Sequence, residues 1–370
     1  MNFVSETAKY ERWLGKHLTL WQPDLEVKHQ LMVRDRFVFM RGTFYRWAQL
    51  WPQICPSLNK TPKTLAVGDL HVENFGTWRD ADGRLVWGIN DFDEAWPLPY
   101  AFDLVRLAAS ALLTETLTAD AHECCEAILD GYALGLRTPR PFVLEEDHPA
   151  LREMATKRLK EPGKFWRKLT AGAEFTGKIP KPVIRGLERT LPERRLKSRY
   201  LHRTAGVGSL GRTRIAAIAE WRGGLVAREA KSLAPSACVW VGGRKDGRIR
   251  YADILRQAAR CPDPFLRPAG GWIFRRLAPS SSRLELSELP EVRDERRLLR
   301  AMGWETANIH AAGNGEIAKD LKKRRGEWLR KAAVAMLDAI TADWTEWRTA
   351  HPTGPGSAGP YSDGPAGGSS

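Results

Sequence analysis

The spacing of apolar and polar positions changes several times along this chain, and each change marks an element. Thr64 to Val67 is a short apolar run of strand type. Phe75 to Ile89 reads as a hairpin, with Gly76-Thr77-Trp78 on one side, Arg84 to Ile89 on the other, and Asp82-Gly83 at the turn. Pro97 and Pro99 then punctuate a loop, Phe102, Val105, Leu107, Ala109 and Leu112 follow a helical period through Phe102 to Thr116, and a second helix is predicted from Asp120 to Leu136. Glu145 to Lys168 is basic and helix-prone, and Pro180-Lys181-Pro182 is expected to end that region.

Strand patterning takes over further on. A strand leads into Arg203 to Gly211, Thr213 to Glu220 forms the next, Gly223-Gly224 makes a tight turn, and Leu225 to Lys231 returns. Trp272 to Leu277 is another strand, followed by a polar turn at Ser280-Ser281-Ser282. Residues 291 to 312 are predicted helical, ending at Ile309-His310. A long helix or helix pair covers Glu316 to Thr349, with Leu321, Trp328, Leu329, Ala333, Met336 and Ile340 as core candidates. The chain therefore divides into 1–60, helical and aromatic; 61–195, mixed; 196–290, rich in strands; 291–350, helical; and a Gly, Pro and Ser-rich tail, 351–370, expected to be disordered.

With 370 residues the chain can bury a large core, so a fibrous or wholly disordered protein is excluded. Its net charge of +14 favours anionic partners, with nucleotides and phosphorylated metabolites ahead of nucleic acid, because the arginines are scattered and no nucleic-acid-binding signature is present. The five cysteines, Cys55, Cys124, Cys125, Cys238 and Cys261, show no metal-ligand spacing and read as reduced thiols. Charged residues break up the first twenty positions, and no run is long enough for a membrane span, so a cytoplasmic protein without a transmembrane segment is expected.

The candidate chemistry lies in Gly68-Asp69-Leu70-His71-Val72-Glu73-Asn74, followed seventeen residues after Asn74 by Asp91-Phe92-Asp93. An Asp five residues before an Asn, then a hairpin, then an Asp in an apolar setting, is the arrangement metal-dependent phosphoryl transfer requires. Asp69 would orient the attacking hydroxyl, while Asn74 and Asp91, with Asp93 as a further candidate, would hold Mg²⁺ through oxygen atoms. His71 reads as a packed loop histidine, and Asp103 as a helix cap or a brace for the catalytic loop. Gly206, Gly208, Ser209 and Gly211 form a glycine loop entering a strand, which favours a phosphate-covering hairpin over a dinucleotide fold. Lys231 would pair the phosphates, with Arg228 competing from the opposite face of the same strand and Glu229 on the face of Lys231.

These motifs resemble the protein-kinase-like superfamily, and more closely its aminoglycoside and choline phosphotransferase branch, whose loops look like HGDLHxxN followed by IDF or IDW. The match departs at Val67, where that family has His, and at Asn90, which is inserted before Asp91. More specifically, GDLHVENFG, INDFDEA, FDLVRLAAS, GVGSLG, REAK and WIFRRLAP resemble the bacterial DUF2252 family over about residues 30 to 315. The resemblance implies an α+β, two-lobed kinase-like fold, with a mostly helical large lobe in 61–195 and 291–350 and a β-rich small lobe in 196–290. The glycine loop and lysine follow the catalytic loop instead of preceding it, and the helix ending at His310 resembles the one that normally leads into that loop; this order implies a circular permutation. The function implied is ATP- and Mg²⁺-dependent transfer of phosphate to a hydroxyl-bearing acceptor, with AMP transfer and nucleotide or nucleic-acid binding without turnover as alternatives.

Overall fold

The computed structural model describes residues 2–145, 147–157, 159, 161–281 and 292–352. Ser282 of the expected polar turn and nearly all of the 351–370 tail lie outside them.

Four helices open the chain: α1 (Phe3–Leu14), α2 (Gln22–Arg34), α3 (Arg36–Gly42) and α4 (Phe44–Ile54). The Asn2 side chain caps α1 and the Asp35 side chain caps α3, each accepting from a first-turn amide. Strand β1 (Lys63–Ala66) follows, then the hairpin β2 (Phe75–Arg79) and β3 (Leu85–Ile89), which pairs Arg79 with Leu85 across a loop containing Asp82-Gly83. Trp96–Pro99, a segment whose two prolines resemble a loop signal, is instead strand β4, paired antiparallel with β1. This two-stranded ribbon tolerates Pro because an edge strand can leave an amide unpaired.

Helices α5 (Tyr100–Leu112) and α6 (Ala121–Arg137) come next, the latter opened by an Asp120–Glu123 capping box. The short strand β5 (Phe142–Val143) pairs with β3, and α7 (Pro149–Lys157) and α8 (Pro162–Thr170) occupy the basic region. Pro180-Lys181-Pro182 does not close that region but opens α9 (Lys181–Thr190). Proline fits the first helical turn as well as it stops a helix, since the amide it lacks has no partner there.

A five-stranded sheet is wholly antiparallel, in the order β6-β7-β8-β10-β9: β6 (Ser198–His202), β7 (Arg214–Trp221), β8 (Gly224–Ser232), β9 (Arg267–Ala269) and β10 (Trp272–Leu277). One of its faces packs Ile215, Ala217, Ala230 and Phe274 on Val183 and Leu187 of α9. The other packs Leu201, Ala216, Ile218, Ala227 and Leu277 against Phe165, Trp166 and Leu169 of α8. Helices α8 and α9, which precede the strand-rich stretch in sequence, thus pack on its sheet. Between β8 and β9, α10 (Ala237–Val241) and α11 (Tyr251–Gln257) turn away and bury Cys238, Val239, Tyr251 and Ile254 in the main core.

The chain ends in α12 (Val292–Ile309), α13 (Asn314–Lys323) and α14 (Trp328–Ala350), so Glu316 to Thr349 is a helix pair. Leu329, Ala333, Met336 and Ile340 are buried; Leu321 and Trp328 pack at the margin. Antiparallel ladders with segregated helices make this an α+β fold. All five cysteines are free thiols. Among the described residues no helix is long and apolar enough to cross a membrane.

Candidate functional site

Asp69 leaves β1 in a loop that the large core holds rigidly. The carboxylate of Asp103, in the first turn of α5 and fully buried, accepts from the amides of Val67 at 2.7 Å and Gly68 at 2.9 Å. His310, at the end of α12, donates through Nε2 to Asp103 at 3.0 Å and receives the Tyr132 hydroxyl at Nδ1 at 2.8 Å. Asp103 is therefore the brace read from the sequence, and the helix ending at His310 does meet the catalytic-loop candidate. Gly68 has φ +83°, and a Cβ there would lie 2.4 Å from the Glu94 carbonyl oxygen, so the loop takes its path only with glycine.

The hairpin returns Asp91 to the loop. Asn74 donates from Nδ2 to the Asp91 carbonyl at 3.0 Å, and the Asn90 amide donates to the Asn74 carbonyl at 3.1 Å. Asp69 itself is paired with Arg106 of α5, a guanidinium with no exposure that also donates to the Met40 carbonyl at 3.0 Å and lies against the rings of Phe44 and Trp47. His71 is buried beside Phe37, and Glu73 pairs with Arg41. The aromatic and basic run from Arg34 to Trp47 thus supplies one wall of the site.

Lys231 comes from β8. Its Nζ sits on both Asp91, at 2.9 Å, and Asp93. Arg228 points to the other face, donating to the Thr190 carbonyl at the end of α9, as strand alternation requires. Arg212, immediately after the glycine loop, donates to Asp93 at 3.1 Å and to Glu94 at 2.9 Å. Burial alone would raise the Asp91 carboxyl, but the Lys231 charge overrides it and holds Asp91 well below the usual range. Asp93 moves the other way: burial, then the adjacent Asp91 charge, raise it above the usual carboxylate range.

The glycine loop between β6 and β7 closes over this arrangement. A Cβ on Gly208 would lie 3.4 Å from Asp69 Oδ2 and 3.1 Å from the Arg41 carbonyl oxygen, so backbone rests directly on the acid. Ser209 is directed at Arg214, whose guanidinium donates to its hydroxyl. Asp69, Asn74, Asp91, Asp93, Gly206, Gly208 and Ser209 line one cleft of about 90 Å³, with Lys231 beneath the carboxylates. Gly211 lies outside it, packed on Leu25, with its carbonyl receiving the Trp21 amide. A second, smaller cavity of about 20 Å³ reaches the far side of Asp69 from α1 and α2.

Sequence reasoning does not single out Arg106, Arg203, Arg212, Arg214 and Arg275, which surround these residues. Glu229, read as sharing the face of Lys231, does so but binds three arginines instead of the lysine. Asn74, Asp91 and Asp93 offer the hard oxygen donors that suit Mg²⁺. Asp93 Oδ1 is buried with no hydrogen-bond partner among the described residues, an oxygen that a cation would satisfy.

Residues 22–142 match the DUF2252 family model. Its members are described as an uncharacterised protein conserved in bacteria. The matched segment contains Asp69, Asn74, Asp91, Asp93, Asp103 and Arg106 and stops before the glycine loop and Lys231. No curated protein and no solved structure matches the chain.

Proposed function

We propose that this chain is an ATP- and Mg²⁺-dependent phosphotransferase acting on a hydroxyl-bearing small molecule, built on a two-lobed, circularly permuted kinase-like plan. The observation that carries the reading is convergence: Lys231 meets Asp91 across 140 residues of sequence, and the glycine loop rests on Asp69 in the same cleft. This long-range convergence supports reading the separated motifs as one site.

In this reading Asp69, fixed by Arg106 and by the Asp103 brace, orients the acceptor hydroxyl and takes up its proton as the new O–P bond forms and the bond to the β-phosphate oxygen breaks, releasing ADP. Asn74, Asp91 and Asp93 would hold Mg²⁺, which neutralises charge on the phosphates. Lys231 balances the two carboxylates, and the Gly206–Gly208 backbone covers the cleft against water. The engagement of Asp69 by a buried arginine favours one second reading, a nucleotide binder without turnover.

One experiment separates these. Asp91→Ala should abolish Mg²⁺-dependent ATP binding measured by calorimetry, while Asp69→Asn should bind ATP like the parent and lose turnover. Asn is chosen because Ala would leave Arg106 buried without its partner, at a cost of about 3–5 kcal/mol. With ATP labelled at the γ or the α position, label moving to acceptor from the γ position alone supports phosphoryl transfer; label following the α position means AMP transfer. Turnover unchanged in Asp69→Asn would sink the assignment.

A further inference from the structure

Glu229 has no exposure, and its carboxylate is gripped by three arginines from three different places. Arg214 of β7 donates at 3.0 Å, Arg275 of β10 donates from Nε at 2.7 Å, and Arg203, just after β6, closes the third side. Register explains the assembly: Glu229 lies directly across from Arg275, and Lys231 across from Arg214, so all four side chains project from one face of the sheet. That face looks into the cleft, which Arg203, Arg214 and Arg275 line together with Gly206 and Gly208.

Three guanidiniums on one carboxylate leave two positive charges without a counter-charge in the cluster. Asp91, another acid whose charge reaches Arg214 and Arg275, is engaged by Lys231. Arg214 feels the excess: burial foremost, with the neighbouring Arg275 and Arg203 charges added, outweighs Glu229 and lowers its guanidinium to about 10, whereas at Arg275 burial is outweighed by the Glu229 and Asp91 charges and the guanidinium moves up. Its buried Nε also lacks a partner among the described residues. A purely structural cluster would gain nothing from this surplus, since an uncompensated buried charge is costly. Moreover, Arg203 and Arg275 each keep about a quarter of the side chain exposed, at 26%, toward the cleft.

We infer that Arg203, Arg214 and Arg275, hung on the buried carboxylate of Glu229, are the seat of a polyphosphate, the triphosphate tail of ATP. The identity of the ligand rests on the nucleotide reading above; its charge does not. Guanidiniums fixed on a shared carboxylate present their remaining N–H groups as preorganised forks, the geometry that suits phosphate oxygens. Lys231, whose side chain is 2% exposed and whose ammonium already holds two carboxylates, is not the principal phosphate grip.

Calorimetric titration of the full chain with sodium tripolyphosphate, ATP and adenosine tests this. Arg203→Met and Arg275→Met, at partly exposed positions, should each weaken tripolyphosphate and ATP on the order of tenfold or more while leaving adenosine unchanged. Arg222→Met, on an exposed arginine at the turn between β7 and β8, should bind as the parent does. Cooperative thermal melting of each variant shows that it is folded. Tripolyphosphate bound by the parent and lost in the variants, with no affinity for ATP, keeps the anion seat and removes the nucleotide reading. A parent that binds no polyanion, or folded Arg203→Met and Arg275→Met variants that bind tripolyphosphate as well as the parent, overturns the inference.

Discussion

Glu305 reaches from α12 to the strand that leads into Asp91, accepting from the Ile89 amide at 3.2 Å and from Asn308 Nδ2 at 2.9 Å. Burial lifts its carboxyl from 4.5 to about 7, although Arg260 and those hydrogen bonds pull the other way. The folded chain therefore holds this proton more tightly than the unfolded chain does. Its stabilising contribution is complete below about 4.5, declines as pH rises through about 7, and amounts to roughly 3 kcal/mol across that window. Scanning calorimetry from pH 5 to 8 should show the parent losing stability with rising pH more steeply than Glu305→Gln; parallel profiles would mean an ordinary carboxylate. Nothing in the sequence marks Glu305, since Ile89 and Arg260, which it meets in space, are far away in the chain. Arg106 was equally hidden, being the one cation in an apolar helix, whereas Asp69, Asn74 and Asp91 were legible because the spacing of a loop and a hairpin is a local property.

Helices α6 and α12 cross at backbone contact, and this crossing sets where His310 meets Asp103. A Cβ on Gly131 would fall 1.8 Å from the Arg300 carbonyl oxygen, and one on Gly303 would fall 2.0 Å from that of Ile128. Gly303→Ala must therefore push the helices apart. Better intrinsic helix propensity offers about 1 kcal/mol, less than the overpacking strain, and the net loss should be about 1–3 kcal/mol by denaturant unfolding. Gly315→Ala, near the start of α13 with nothing within 4 Å, should gain about 0.4–1 kcal/mol. Equal behaviour of the two variants would contradict the close crossing. The helices themselves were readable from apolar period, as was the turn at Asp82-Gly83; the turn expected at Gly223-Gly224 falls one residue earlier, at Arg222-Gly223, with Gly224 opening β8. Their partners were not, because a glycine in a helix signals close approach without naming the neighbour. Pro97, Pro99 and Pro180-Lys181-Pro182 misled for a related reason: proline fits an edge strand, a first helical turn and a loop alike.

Across the whole molecule, the net charge of +14 is not concentrated in the cleft. Arg41, Arg203, Arg212, Arg214 and Arg275 line it together with Asp69, Glu73, Asp91, Asp93 and Glu94, equal numbers of each sign. Exposed cations lie elsewhere, including Lys164, Arg167, Arg194, Arg195, Lys197 and Arg199 around α8 and the entry to β6. A surface of this kind attracts any polyanion through released counterions, and the attraction decays steeply with salt. The cleft differs, because its cations are partly withdrawn from water and fixed by carboxylates, so its field is screened less. A single-stranded oligonucleotide of about 20 nucleotides should consequently bind only at low ionic strength, be lost by roughly 0.2 M KCl, and leave ATP undisplaced. ATP affinity should fall far less over the same range. Fluorescence anisotropy of a labelled oligonucleotide, with and without ATP, measures both. An oligonucleotide that keeps its affinity at 0.2 M KCl and competes with ATP would place nucleic acid in the cleft, and the acceptor would then be sought among nucleic-acid hydroxyls instead of small molecules.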